Sequence, residues 1–217
     1  MSKVNRLCRI VLLTFFVQGC TEEVVTKDTS REYPVHHKTI SMKGVEETKA
    51  ILHNGDIVLR TGNDVISSLF AQLNKTDKTY SHCGIAFKEE NTWYVYHSIG
   101  GEDNPDSKLR KDLFEKFIGS DHNLGYGICR YPFTETDEQK LAQTVHKLYD
   151  LQLPFDMKFD LHSDDRLYCA EMVYKAFNIA FDTTNFFTTT VHKGFEYVST
   201  DNIFVNNKAR ILCHIVY

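Results

Sequence analysis

Cys169 lies in surroundings that could support covalent chemistry. It belongs to the segment SDDRLYCAEMVYKAF (163–177), where Ser163, Asp164 and Asp165 predict the start of a helix. A cysteine in the first or second turn of a helix ionises more readily, because unpaired backbone N–H groups and the helix dipole favour the thiolate. Most free cysteines are small buried apolar residues, so this pattern alone leaves both interpretations open.

His82 could supply the base that such a nucleophile needs. It lies in the predicted strand YSHCGIAF (80–87), where alternation places it on the same face as Gly84 and Ala86. These small neighbours leave room for a side chain to pack over the imidazole, as a base that meets a nucleophile from a helix would require. A histidine that is hydrogen-bonded in the core at a strand end fits the same pattern.

A third polar residue would be needed to hold the imidazole of His82 in one orientation and tautomer. His97 lies in the next predicted strand, WYVYHS (93–98). If the two strands form a hairpin, both histidines lie near the same end of the sheet. Either His97 or a nearby carboxylate could then take this role, and a partly exposed surface histidine is the alternative interpretation of His97.

Hydrophobic periodicity and capping residues predict helices interspersed with mostly antiparallel strands. Helices are predicted at 64–73, 107–118, 134–150 and 167–177. Strands are predicted at 55–60, 81–87, 93–99, 127–131 and 210–216, with a short extended piece at 155–159. Because this order lacks a regular βαβ repeat, it predicts an α+β fold.

The first twenty residues have the layout of a bacterial secretory signal. Three basic residues precede an uncharged apolar stretch at 10–17, which is too short to span a membrane. The sequence VQGC (17–20) is similar to a lipobox, so residues 1–19 are predicted to be removed and Cys20 to be acylated. A non-lipidated signal cut nearby, or an uncleaved anchor, is the alternative.

The rest of the chain predicts one domain behind a tether. Residues 20–45 are polar and lack apolar periodicity, and they are predicted to link the membrane to a folded domain at 46–217. The net charge of −4 and the lack of a basic run argue against a nucleic-acid partner. Membrane attachment is therefore predicted to depend on the lipid at Cys20.

The remaining cysteines do not form a metal-binding pattern. The sequence has no CxxC and no HExxH motif, and the acidic run at 156–165 lacks the spacing of a calcium loop. No metal and no cofactor is therefore predicted. Cys129 and Cys213 lie in apolar, strand-like runs, so two buried thiols or a disulfide are both consistent with the sequence.

The order of these motifs resembles the circularly permuted papain-like amidases of the YiiX/YaeF type, relatives of NlpC-type cell-wall peptidases and of lecithin retinol acyltransferase. The resemblance covers about 54–217 and rests mainly on SHCGI (81–85) and YCAE (168–171), with histidine before cysteine as permutation requires. GDIVLR (55–60) and LPFDMKFD (153–160) follow the same order. This resemblance implies a permuted papain-like α+β fold, with a small antiparallel sheet or barrel packed against helices.

The resemblance implies that Cys169 attacks a carbonyl carbon, that His82 accepts the thiol proton, and that His97 orients His82. Many permuted members have Glu at the third position, whereas this chain has His97 there, as in the lecithin retinol acyltransferase branch. Tyr80, Ser81 and Glu171 are candidate substrate-binding residues, with Glu171 better suited to supporting the helix.

The predicted function is hydrolysis of an amide or ester bond through a thioester acyl-enzyme. The predicted substrate is a cell-wall peptide or an acyl-bearing lipid or amide, and the aromatic residues at 177–195 could line an acyl pocket or belong to the core. Acyl transfer and a non-catalytic lipoprotein binding module are the alternatives. The predicted location is the cell envelope, at the outer membrane, through the N-terminal lipid.

Overall fold

One open sheet organises the molecule. The computed structural model describes residues 36–37, 42–100, 104 and 106–217. Its strands are β1 His36–His37, β2 Ile57–Gly62, β3 His82–Glu89, β4 Thr92–His97, β5 Arg110–Leu113, β6 Asn123–Arg130, β7 Thr190–His192, β8 Phe195–Tyr197 and β9 Arg210–Val216. Seven of them form a sheet in the order β1-β9-β6-β2-β3-β4-β5, and β7 and β8 form a separate hairpin. Neighbouring strands are antiparallel, except that β1 runs parallel to β9.

Helices cover both faces of this sheet. They are α1 Met42–Ile51, α2 Val65–Leu73, α3 Phe114–Phe117, α4 Glu135–Asp150, α5 Cys169–Ala180 and α6 Thr200–Phe204. Helices α4, α5 and α6 contribute to one apolar cluster, and α1 and α3 contribute to the other. Alternate residues of β2, β3, β4 and β6 enter the two clusters, as the pleat of a strand requires. None of the helices in the described part of the chain has the length and apolar character needed to cross a bilayer.

The α+β fold predicted from the sequence is confirmed, and the sheet does not close into a barrel within the described residues. The helix predicted from Thr134 is present as α4, and the Thr134 side chain accepts a hydrogen bond from the Asp137 backbone N–H at 3.2 Å. The strand predicted at 210–216 is β9. These elements could be predicted because their signals are local: a cap with an amphipathic run, and a continuous apolar run.

The helix predicted at 107–118 is wrong. Residues Arg110–Leu113 form the edge strand β5, and only Phe114–Phe117 are helical. The apparent i, i+4 spacing of Leu109, Leu113 and Phe117 is misleading, because Leu113 is exposed while the other two are buried. Pairing with β4 satisfies the backbone of this segment, and a partner strand is invisible to local periodicity.

The predicted boundary between tether and domain also differs from the structure. Helix α1 begins at Met42, so a domain start at residue 46 falls inside this helix, and β1 lies within the segment predicted as tether. Val45 and Leu52 are buried in the cluster that contains α3, which explains why the helix forms. The predicted signal peptide at 1–19 and Cys20 lie outside the described residues.

The structure also corrects the segment at 155–159 and decides between the two alternatives for Cys129 and Cys213. The predicted extended piece at 155–159 is a loop that folds around the carboxylate of Asp156, which accepts backbone hydrogen bonds from Lys158 at 2.8 Å and Asp160 at 2.6 Å.

Cys129 and Cys213 are free thiols that enter opposite clusters, because the sheet separates them. The structure therefore contains the two thiols without a disulfide between them.

Candidate active site

Cys169 is the first residue of α5, within the first turn as the sequence allowed, although the helix begins two residues later than the predicted start at 167. The residue that caps the helix is Tyr168, and not the predicted Ser163, Asp164 or Asp165. The Tyr168 backbone N–H donates to a carboxylate oxygen of Glu171 at 3.1 Å. The Tyr168 hydroxyl also accepts a hydrogen bond from the Val198 backbone N–H at 2.8 Å, so the chain just before the cysteine is fixed from two sides.

His82 is the first residue of β3, and its imidazole is buried. Its Nε2 lies 3.0 Å from Nδ1 of His97, which is the last residue of β4. The ring of His82 also packs against Phe117 of α3, with the ring centroids 5.6 Å apart. The structure therefore brings together the two histidines that the sequence placed near the same end of a hairpin.

Asp112 of β5 extends this hydrogen-bonded chain. Its Oδ2 lies 3.1 Å from Nε2 of His97, and the Arg110 guanidinium lies 2.8 Å from the same oxygen. The sequence suggested a nearby acid but did not identify this one, because 107–118 was predicted as a helix. Only the pairing of β5 with β4 brings Asp112 within reach of His97.

The charges along this chain determine which nitrogen carries a proton. The hydrogen bond from His97 holds the pKa of Asp112 well below its usual range, so its carboxylate is ionised and can only accept. Burial lowers the pKa of His97 to about 4 and the pKa of His82 well below its usual range, so both rings are neutral at pH 7.

The tautomers follow from these charges. His97 must donate from Nε2 to Asp112, which leaves its Nδ1 as an acceptor. His82 must then donate from Nε2 to His97, so Nδ1 is the nitrogen of His82 that keeps a free lone pair. A neutral imidazole in this tautomer can accept a proton, which is what a general base requires.

The thiol of Cys83 contacts Cys169, which the sequence did not reveal. Cys83 follows His82 in β3 and its side chain enters the cluster that contains α5. A hydrogen bond from the Cys83 thiol is the largest cause that lowers the pKa of Cys169, with burial opposing it. Backbone N–H groups of Ala170 and Cys83 and the charge of Arg60 lower this pKa further. The same hydrogen bond, together with burial, raises the pKa of Cys83, so Cys169 is the thiol that ionises first.

A cavity of about 530 Å³, here called the apolar cavity, lies at the end of the sheet where β3 and α5 begin. Both Cys169 and His82 line it, although His82 and Cys83 alternate to opposite sides of β3. Its walls come mainly from α2 and the loop around Asp156. The apolar lining residues are Ile66, Leu69, Phe70, Ile99, Phe155, Met157 and Phe159.

Helix α2 is therefore a cavity wall. The sequence grouped Val65, Leu69 and Leu73 on one apolar face, yet all three are exposed and Ala71 is the buried residue of the helix. The predicted cap Asp64 is confirmed, since its carboxylate accepts the Ser67 backbone N–H at 2.8 Å.

The aromatic residues at 177–195 do not line this cavity. Phe177 and Phe187 are fully buried in the cluster of α4 and α5, which is the core alternative of the sequence analysis.

The three candidate substrate-binding residues occupy different positions. Ser81 lines the apolar cavity, whereas Tyr80 and Glu171 do not. Tyr80 is buried and its hydroxyl lies 2.6 Å from Nδ1 of His214. Glu171 is buried and pairs with Lys175 at 3.1 Å, so it supports α5. Arg60, which the sequence analysis did not single out, lines the cavity beside Ser81.

Comparisons with known proteins agree with this architecture. A family model described as permuted papain-like amidase enzyme, YaeF/YiiX, C92 family, matches residues 51–208. The uncharacterized protein YiiX of Escherichia coli K12 is 28% identical over 128 residues, which is 58% of this chain and 57% of that protein's own length. The chain thus matches little more than half of this relative.

A solved structure has the same fold. The crystal structure of YiiX from Escherichia coli O157:H7, described as a metalloprotein, superposes with a TM-score of 0.61 at 22% identity. The match covers 74% of this chain and 96% of that one. The resemblance inferred from the sequence motifs is thereby confirmed, and the chain belongs to the YaeF/YiiX family of permuted papain-like amidases.

Proposed function

We propose that this protein is a cysteine hydrolase that cleaves an amide or ester bond, with Cys169 as nucleophile, His82 as base and His97 as positioning residue. One observation carries the proposal. Cys169 and His82 line the same cavity, and His82 is held by a hydrogen-bonded chain that ends on Asp112. The amidase family to which the chain belongs supports the same reaction class.

The reaction proceeds in two steps, acylation of Cys169 and hydrolysis of the acyl-enzyme. His82 accepts the proton of the Cys169 thiol, and the thiolate adds to the substrate carbonyl carbon. The bond to the leaving amine or alcohol then breaks, His82 returns the proton to it, and a thioester to Cys169 remains. In the second step His82 takes a proton from water and the hydroxide attacks the thioester carbon. The bond to the Cys169 sulfur breaks and His82 returns the proton to that sulfur, so a carboxylic acid, the free thiol and the neutral base are formed.

The start of α5 supplies a further element of this mechanism. The first backbone N–H groups of a helix have no partner within the helix. The backbone N–H of Cys169 therefore serves as one donor to the oxyanion that develops on the carbonyl oxygen.

The lining of the apolar cavity favours an acyl-bearing substrate over a cell-wall peptide. A peptide stem would need polar partners along its length, whereas seven of the lining residues are apolar. Acyl transfer would use the same residues and differs only in that an alcohol or amine replaces water in the second step. If an added alcohol or amine takes up the acyl group, so that less free acid is formed, the protein is a transferase.

No step of this mechanism is routed through a metal. The YiiX protein of Escherichia coli O157:H7 is described as a metalloprotein. In the part of this chain that the structure describes, no three His, Cys, Asp or Glu side chains are grouped to hold a metal ion. The described residues therefore do not fit such a site.

The nucleophile is tested with p-nitrophenyl dodecanoate and the Cys169→Ala variant. We expect wild-type protein to release p-nitrophenol and to show a dodecanoyl adduct by mass spectrometry of the intact protein, and the variant to lose both with an unchanged melting temperature. The matched control is Cys213→Ala, which removes a thiol from the opposite apolar cluster. Turnover or adduct formation that survives in Cys169→Ala at wild-type level would remove Cys169 as nucleophile.

A further inference from the structure

Arg60 of β2 makes no direct ion pair with a carboxylate of the described residues, although Asp112 and Asp64 lie close enough to act on its charge. Its Nη1 donates to Oδ1 of Asn123 at 3.1 Å, and its guanidinium lies over the ring of Phe117, 4.8 Å from the centroid. Its Nε is buried and has no hydrogen-bond partner among the described residues. A buried donor is costly when it is unpaired, so this half-buried side chain is suited to a ligand that accepts from Nε.

A second cavity of about 440 Å³, here called the basic cavity, adjoins Arg60. Arg110 of β5 and Lys116 of α3 also line it, as does His122. Lys116 is largely exposed and Arg110 is half-exposed, with 65% and 41% of their side chains accessible. The three cationic side chains therefore surround a space that is open to solvent.

The two carboxylates in the basic cavity are already engaged. Both oxygens of Asp64 accept hydrogen bonds from Ser67, at 2.8 Å from its backbone N–H and 2.6 Å from its hydroxyl. Asp112 is shared between His97, Arg110 and Lys116, whose Nζ lies 3.6 Å from Oδ1. Of the three permanent cations, Arg110 and Lys116 pair with Asp112, and Arg60 is the one that makes no ion pair with a carboxylate among the described residues.

The two cavities are neighbours. Arg60, Asp64, Ser67 and Ile99 line both of them. One cavity holds Cys169 and an apolar wall, and the other holds the cations. A ligand that fills both would place an apolar chain on one side of Arg60 and a negative group on the other.

We propose that the basic cavity binds the anionic head, a carboxylate or a phosphate, of an amphiphilic ligand whose acyl chain occupies the apolar cavity. Combined with the hydrolase function proposed above, on which this last step rests, the substrate is an acylated amine or alcohol that carries the negative charge on its leaving group. The planar guanidinium of Arg60 suits both anions, because its donors match carboxylate and phosphate oxygens.

Arg60 also lowers the pKa of Cys169, so loss of activity on its replacement would not identify a binding role. The proposal is therefore tested by binding, in full-length Cys169→Ala protein that does not turn over. The probes for titration calorimetry are dodecanoylglycine and dodecyl phosphate, with dodecanoylglycinamide as the neutral control of equal chain length. We expect each anionic probe that fits to bind at least about tenfold more tightly than the amide, a difference of about 1.4 kcal/mol.

Replacement of Arg60 by Gln in the same background should remove this preference while the amide binds as before. Arg210→Gln is the matched control, since Arg210 is an exposed arginine that lines neither cavity. Lys116→Gln provides a second variant at an exposed position, and it should weaken the anionic probes alone. If Arg60→Gln does not fold, the affinities of the charged and neutral probes for Lys116→Gln test the proposal instead.

Equal affinity of charged and neutral probes, an equal loss of both in Arg60→Gln, or no binding of any probe would each overturn the proposal. A preference for only one of the two anions would support it and identify the head group. The binding result and the ester assay can fail separately. A charge preference with no acyl adduct would retain the anion site and reject the hydrolase. An acyl adduct with no charge preference would retain the hydrolase and reject the anion site.

Discussion

At the scale of single residues, the site depends on where each proton sits. Asp112 is ionised and accepts, which fixes one donor and one acceptor on His97 and then on His82. The buried thiol of Cys83 donates to the sulfur of Cys169 and favours its ionisation. In the proposed mechanism, Cys169 is therefore activated by a neutral base, His82, and by the second thiol, Cys83.

The role of Cys83 can be measured by alkylation of Cys169. In Cys83→Ala the stabilising hydrogen bond is lost, so the pKa of Cys169 should rise, and a rise of about one pKa unit lowers the rate with iodoacetamide about tenfold at pH 7. The measurement is the pH dependence of the alkylation rate, followed by mass spectrometry. Cys129→Ala, which removes another fully buried strand thiol, should leave the profile unchanged. An identical profile in Cys83→Ala would show that this thiol has no influence.

At the scale of elements, α5 carries the proposed nucleophile and also a buried carboxyl group that lowers the stability of the fold when it ionises. Glu171 is completely buried, and burial raises the pKa of its carboxyl to about 7, opposed by Lys175 and the Tyr168 backbone N–H. This carboxylate caps the turn that carries Cys169. The residue that helps to fix the position of Cys169 is therefore a buried acid whose ionisation is unfavourable.

The raised pKa of Glu171 predicts that the difference in stability between Glu171→Gln and wild type depends on pH. The folded state keeps the Glu171 proton up to about pH 7, whereas the unfolded state loses it near 4.5, so the contribution of Glu171 to stability falls as pH rises through this range. The free energy of unfolding of Glu171→Gln relative to wild type should therefore increase from pH 4.5 to 7 and then level off, by at most about 3.4 kcal/mol. The measurement is the melting temperature of both proteins across this pH range. Glu47→Gln, at an exposed position on α1, serves as control. A constant difference between Glu171→Gln and wild type over this range would contradict the prediction.

At the scale of the whole molecule, an open sheet with helices on both faces leaves the site at one end. The strand starts and ends that carry His82 and His97 meet the start of α5 there, and α2 closes the side. The apolar and basic cavities open at this end. A domain of this kind could reach an acyl-bearing amphiphile near a membrane, which is where the proposed lipid at Cys20 would hold it.

The anchor is tested by fractionation of the cells that produce the protein. Cys20→Ser should move the protein from the membrane pellet to the soluble fraction, because each buried CH₂ of an acyl chain contributes about 0.8 kcal/mol to anchoring. Cys8→Ser is the control, since Cys8 lies within the segment predicted to be removed. A Cys20→Ser protein that still pellets with membranes would rule out lipidation at this residue.

Local sequence determined the candidate residues and most of the elements that carry them. The motifs around Cys169 and His82 are short and contiguous, so a candidate nucleophile, a candidate base and the permuted family could be predicted, and the family is confirmed. His97 could be predicted from the hairpin for the same reason. Alternation and capping signals act between residues close in sequence, which is why β9 and α4 were correctly predicted.

The tertiary structure decided the features that depend on residues far apart in the chain. Strand pairing, and not helix periodicity, determines the conformation of the segment with Asp112, and so places that carboxylate beside His97. The packing of α5 on β3 brings Cys83 to Cys169, and the meeting of β2, α3 and β5 leaves Arg60 between two cavities. Burial and unpaired charge are properties of the assembled fold, because they depend on which distant groups displace water around a side chain.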